Sequence, residues 1–277
     1  MSALDEEERE DLLDRLAVLV RPDPGLFVSS PFVEPTPRFF PDVFDHDAAS
    51  AQALAQRLLG YAGLDGFRAE VVLEESARSA APSLTTSDLV SVEGQTIHFA
   101  CSELGRVDDA TLCLAHEVSR AALLVHTHRR SDSVYRASVR PEAAIVTPDA
   151  SDEALVAASI FAYVLGFGVL ATLGAHHARQ GGHSRGGVSQ TSWQHVAYGR
   201  LSPEAASFLL AAQLVVRAVP SPRRNALLAS LPTNRRVEVE TALASVEREA
   251  LLARLGLPAP SRWPPERMPT IGPSRSR

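Results

Sequence analysis

Hydrophobic positions change period several times along this chain, and each change marks the border of an element. Residues 5–20 carry Leu12, Leu13, Leu16 and Leu19 at helical spacing behind an acidic cluster, Asp5 to Glu8, whose sign suits a helix N-terminus. The proline-rich stretch 22–45 breaks that period and reads as an extended segment laid over a surface, with Phe39, Phe40 and Phe44 as its anchors. Residues 47–62 return to a helical pattern that stops near Gly63. Three short β-branched runs follow, 69–74 (AEVVLE), 88–93 (DLVSVE) and 96–101 (TIHFAC), and Gly94-Gln95 between the last two signals a hairpin. The expectation is a small antiparallel sheet followed at once by a helix over 108–125.

The second half is more polarised. Residues 126–152 are polar and arginine-rich and read as a surface loop, after which Ala154 to Ala175 form a run of 22 uncharged residues. A run of that length matches a bilayer. It is rich in Ala, Gly, Ser and Thr and stands alone, so it reads as a helix buried at the centre of a domain, with a membrane anchor over 154–175 as the alternative. Residues 178–193 are glycine-rich and read as a flexible loop. Helices are expected over 203–218, where Pro203 follows Ser202 as N-cap, and over 234–255. The organisation expected is an N-terminal amphipathic helix in 1–21, one globular domain over 22–256, and a disordered Pro/Arg-rich tail over 257–277. The fold class is α+β and predominantly helical, with the small sheet beside the 108–125 helix and the apolar helix central.

Composition narrows the functional classes. The chain has 277 residues, 45% apolar and 22% charged, an ordinary globular balance. A net charge of −6 argues against a broad phosphate-binding surface, so nucleic acid is not an expected partner. All 27 basic residues are arginine, which removes every lysine nucleophile or Schiff base. Cys101 and Cys113 are too few for a disulfide scaffold or a cysteine-rich zinc site and read as small buried hydrophobes. The acidic N-terminus has no secretory pattern, so the expected compartment is the cytoplasm.

The stretch TLCLAHEVSRAAL, 111–123, begins as the metal helix of a zinc hydrolase begins. In such a helix two imidazoles at i and i+4 grip one ion, and the glutamate beside the first histidine takes a proton from metal-bound water. His116 and Glu117 supply half of that motif, and Arg120 stands where the second histidine belongs. A guanidinium has no lone pair to donate. At about 5 Å from a dication and an effective dielectric near 20, its repulsion is on the order of 6 kcal/mol. From the residues alone, His116 beside a Glu117–Arg120 pair at i,i+3 spacing reads as ordinary helix chemistry.

Several short motifs occur in order: TPRFFPDVFD (36–45), GYAGLD (60–65), TIHF (96–99), LAHE (114–117), YVLGFGVLA (163–171), Trp193 and YGRLSPEAASFLLAAQL (198–214). In this order the chain resembles, over residues 30–218, a family of uncharacterised bacterial proteins that look like zincin-type metallopeptidases of the HExxH class. The resemblance implies a second histidine ligand at the position of Arg120 and an acidic ligand near Ser159, so that His116 and Glu117 would be vestigial ligand and base. It implies a zincin-like fold that has lost its metal and acts without catalysis, by binding or regulating another protein.

Alternatives rest on other histidines. His126 and His128 form an H-x-H pair flanked by Arg129 and Arg130, and read as a solvated loop. His176, His177 and His183 form an HH-x5-H set that is the better candidate for an unorthodox zinc site, although no acidic or thiol ligand lies near it in sequence. With zinc there, the protein would be an active hydrolase with an atypical ligand set. QGGHSRGGVSQ (180–190) lacks the lysine of a phosphate-binding P-loop, and Gly166-Phe167-Gly168 reads as close helix packing.

Overall fold

The computed structural model describes residues 4–73, 86–93, 96–101, 107–135, 151–175, 177–185 and 188–267. The chain opens with α1 (Glu6–Val20), started by a capping box in which Asp5 accepts from the Glu8 N–H and Glu8 accepts from the Asp5 N–H. A short α2 (Pro24–Ser29) follows, capped by Asp23 with Pro24 in the first turn. It replaces part of the extended segment expected over 22–45, because Asp23-Pro24 is a helix start as well as a strand breaker. Nor does the segment lie merely on a surface: Phe27, Val28, Phe32, Val33 and Phe39 are buried. Phe39 and Phe40 stack edge-on against Tyr61 at the end of α3 (Ala48–Tyr61), and the Tyr61 hydroxyl donates to the Phe39 carbonyl at 2.6 Å.

A three-stranded sheet comes next, β1 (Arg68–Leu73), β2 (Thr86–Glu93) and β3 (Thr96–Cys101), ordered β1-β3-β2. β3 pairs antiparallel with β2 but parallel with β1, in register Ala69↔Ile97 and Val71↔Phe99. The sheet is therefore mixed rather than antiparallel throughout. Ala69, Val71, Ile97 and Phe99 are buried, the alternation of a sheet with one covered face.

α4 (Val107–Tyr135) carries the HE pair and runs on through His126, so the loop expected over 126–152 begins at least ten residues late; 136–150 lie outside the described residues. α4 packs against α3, and beyond it against α5 (Asp152–Val164) and α6 (Gly168–Gly174). The apolar run 154–175 is thus two helices, not one. Gly166 adopts φ +85°, the Phe167 N–H reaches back to the Ala162 carbonyl at 2.8 Å and the Gly166 N–H to Tyr163 at 3.2 Å, the paired bonds of a Schellman stop. The Pro31 carbonyl lies where a Gly166 Cβ would be, at 1.9 Å, and the Gly166 carbonyl accepts from the Val33 N–H at 3.0 Å. Among the described residues no helix is long and apolar enough to cross a membrane.

The stretch expected as a glycine loop over 178–193 is a hairpin of β4 (His177–Arg185) and β5 (Val188–Val196), in register His177↔Val196 to Arg185↔Val188. Gly186-Gly187 between two runs is a hairpin signal that glycine content alone masks. α7 (Pro203–Val216), capped by Ser202, is buried almost all round. Its Ala206 carbonyl accepts from the Tyr163 hydroxyl at 2.9 Å, and Gln213 Nε2 donates to the Tyr163 carbonyl at 2.6 Å, which fixes α5 to α7. Full burial pushes the Tyr163 hydroxyl well above the ordinary phenol range.

The helix expected over 234–255 is divided into α9 (Thr233–Ser245) and α10 (Arg248–Leu255) by extended backbone at Val246 and Glu247, and α8 (Ser221–Ala229) precedes it. The first eleven residues of the expected disordered tail are docked. The Arg267 N–H donates to the Ser29 carbonyl at 2.6 Å, the Phe32 N–H donates to Glu266 Oε1 at 3.2 Å, and Trp263 packs on the core. Beneath the tail the Arg217 guanidinium lies 4.1 Å from the Phe32 ring centre; burial pulls its pKa down to about 10, with Glu266 opposing the shift. Proline content suggests disorder, but one tryptophan and a carboxylate suffice to anchor the segment.

Gly166→Ala is expected to cost about 3 kcal/mol or more in urea unfolding, since left-handed strain and a backbone clash combine. Gly66→Ala, at a position with no atom within 4 Å of the added carbon, is expected to change stability by less than about 0.5 kcal/mol.

Candidate functional site

The interface of α4 with α5 brings together four of the side chains that the sequence singles out. His116, Glu117 and Arg120 project from α4 at neighbouring positions of its face, and Ser159 meets them from the middle of α5. Ser159 Oγ lies 3.3 Å from His116 Nε2, donates to the Leu155 carbonyl at 2.8 Å, and accepts from the Arg200 N–H at 3.0 Å. Glu117 Oε1 lies 3.3 Å from His116 Nδ1, and Glu117 Oε2 accepts from Arg120 at 3.0 Å. Arg120, Glu117, His116, Ser159 and the Arg200 backbone thus form one polar string.

That string is largely dry. Arg120 is 3% exposed, Ser159 4% and Glu117 5%; His116 alone is half-buried. A strap of residues 197–200 between β5 and α7 covers it, pinned by the Tyr198 N–H donating to the Gly174 carbonyl at 2.8 Å. Gly199, at φ +102°, is pressed so close that a Cβ there would stand 2.9 Å from Ser159 Oγ and 3.2 Å from His116 Cδ2. The YGR segment, 198–200, belongs to the motifs of the sequence resemblance, yet no role attaches to it there. Its signal is the glycine, since only a residue without Cβ fits so near two functional side chains.

Two cavities flank the imidazole. One, of about 20 Å³, lies between His116, Ser159, Tyr198 and apolar side chains, room for a single water. The other, a cleft of about 190 Å³, is lined by Cys113, His116, Glu117, Arg120 and the strap. The order Glu117, His116, Ser159 has the connectivity of a hydrolytic triad. Ser159, however, lines the small cavity and not the cleft, and its hydroxyl proton is directed to the Leu155 carbonyl rather than to the imidazole.

Metal chemistry meets a comparable obstacle. Each ring nitrogen of His116 faces an oxygen, and among the described residues no group of three or more His, Cys, Asp or Glu side chains is placed to hold an ion. His126 lies on α4, not in a loop, its ring edge-on to Phe161 at 5.5 Å; the side chain of His128 is outside the described residues. His177 and His183 occupy β4 opposite Val196 and Gln190, their side chains likewise outside the described part, and His176 is outside it altogether. Cys113 is a buried thiol in no disulfide, and Cys101 sits on β3.

A second motif escapes the sequence reading. Gly182-His183-Ser184-Arg185-Gly186 spells the GxSxG of a nucleophile elbow. Such an elbow requires a strand-to-helix turn, whereas Ser184 is paired with Ser189 inside a hairpin strand.

In comparisons with known proteins, the sequence matches no family model, no curated protein sequence and no solved structure.

Removing one member of the buried ion pair, by Arg120→Ala, is expected to cost about 3–5 kcal/mol, because Glu117 is left charged and desolvated. The double variant Glu117→Gln with Arg120→Met is expected to recover most of that loss, read as the urea midpoint of each variant.

Proposed function

We propose that this protein is a non-catalytic, zincin-like cytoplasmic protein that acts by binding another protein, its former metal cleft closed by a salt bridge. The observation that carries this reading is Arg120: its buried guanidinium occupies the i+4 position and is held by Glu117 at 3.0 Å. A working enzyme of that class needs a neutral nitrogen donor at that position and a free carboxylate beside the first histidine. Here the cation and the base neutralise one another.

Further support comes from Ser159. The resemblance assigns an acidic ligand near this position, and Ser159 Oγ lies within hydrogen-bond reach of His116 Nε2 from a different helix. The cleft of about 190 Å³ that remains beside Arg120 and the strap is the surface offered to a partner.

Arg120→His combined with Ser159→Asp is the direct test. The folded double variant is expected to take up one zinc per molecule, with micromolar or tighter affinity, while the natural protein purified without chelators contains none. A folded double variant that takes up no zinc would overturn the proposed ancestry. Stoichiometric zinc in the natural protein would replace the reading with that of an active hydrolase using other histidines.

A further inference from the structure

The tail that follows α10 ends, at Glu266 and Arg267, against three parts of the chain far from it in sequence. Ser29 closes α2, and its carbonyl accepts from the Arg267 N–H at 2.6 Å; three residues on, the Phe32 N–H donates to Glu266 Oε1 at 3.2 Å. Arg217, at the end of α7, faces Glu266 Oε2 at 4.0 Å and lies over the Phe32 ring. Gly63, just past α3, leaves room for the Arg267 guanidinium: a Cβ there would stand 2.8 Å from its Nη1. The seat thus offers a carbonyl, an N–H, an aromatic ring and a guanidinium.

What lies in this seat has the form of a ligand. Residues 260–262 make one 3₁₀ turn, and Trp263 Nε1 donates to the Pro258 carbonyl at 2.8 Å, so this part of the tail is folded on itself. Pro264 and Pro265 then stiffen the extended stretch that brings Glu266 and Arg267 to the seat, which keeps the entropic cost of docking small. Of residues 258–267 only Trp263 is half-buried, and the Glu266 side chain is 44% exposed.

The seat is set deeper than its occupant. Phe32 is 3% exposed and the Arg217 side chain 6%. That guanidinium has given up most of its water, yet the carboxylate oxygen facing it stands at 4.0 Å, the outer limit of an ion pair, and its Nη1 has no acceptor while the tail is in place. An occupant that compensates a buried cation incompletely is held weakly. A strap of exposed residues fixed by a few hydrogen bonds opens locally, at far less cost than global unfolding.

We infer that Ser29, Phe32, Gly63 and Arg217 form a docking groove for an extended, proline-stiffened acidic segment of a partner protein, and that this chain's own tail fills the groove in cis. The partner's glutamate takes the place of Glu266 between the Phe32 N–H and Arg217, and the N–H of its next residue takes that of Arg267 on the Ser29 carbonyl. Tethering gives the tail an effective concentration on the order of millimolar, so it excludes weak ligands and yields to a segment that pairs more closely with Arg217. The groove is separate from α4, and its test is independent of zinc uptake at His116.

The natural chain supplies the first measurement. In amide hydrogen exchange the Phe32 and Arg267 N–H groups should exchange at least about a hundredfold faster than the adjoining Val33 N–H, which is bonded to the Gly166 carbonyl in the core. Equal protection of Phe32 and Val33 overturns the inference, and that comparison requires no variant. The probe ligand is the peptide SRWPPER, residues 261–267 with blocked ends, titrated by NMR into the full-length natural chain and into full-length Glu266→Gln, a change at an exposed side chain. The variant should bind it at least about tenfold more tightly than the natural chain, whose own carboxylate competes, with shifts centred on Ser29, Phe32 and Gly63. The same peptide carrying Glu266→Gln should bind the variant at least about tenfold more weakly, the margin of a charge-assisted hydrogen bond. No saturation of the variant by about 10 mM, or equal binding of the two peptides, overturns the groove. Concentration-dependent dimers with exchanged tails would overturn the separate partner and give the groove to a second copy of this chain.

Discussion

Arg120 is almost wholly withdrawn from water, and what compensates its lost hydration is Glu117, one turn earlier on the same helix. The consequences spread from that pair. Glu117 turns its other oxygen to His116, His116 turns its far nitrogen to Ser159, and Ser159 receives the Arg200 N–H from the strap. A cation in this position therefore orders the α4–α5 interface and sets what the remaining cleft can accept.

A backbone constraint holds that interface in place. The Schellman turn at Gly166 ends α5 and lets the segment around Pro31–Val33 cross within van der Waals reach, so α6 can double back against α4. Tyr163 and Gln213 then tie α5 to α7 through buried hydrogen bonds. Because these bonds have no water to fall back on, the position of Ser159 relative to His116 is a property of the whole core. The strap covers that interface, and Gly199 lies so close that an added Cβ would stand 2.9 Å from Ser159 Oγ.

Much of the helical content was legible locally. Leu12, Leu13 and Leu16 fall on the buried face of α1, Asp5 and Ser202 cap where cap residues should, and Pro203 opens α7, because these signals act through neighbours three or four residues away. The conflict between His116 and Arg120 was likewise visible in one helical turn. What escaped depended on distant partners: the break at Gly166 answers to Pro31, the docked tail to Ser29, Phe32 and Trp263, and the β4–β5 hairpin to pairing that glycine content hid. Sequence by itself determined which side chains the α4 helix offers and that one of them is a permanent cation. Only the tertiary structure decided that Ser159 and Gly199 close over them, since burial and hydrogen-bond partnership are settled by elements far apart in sequence.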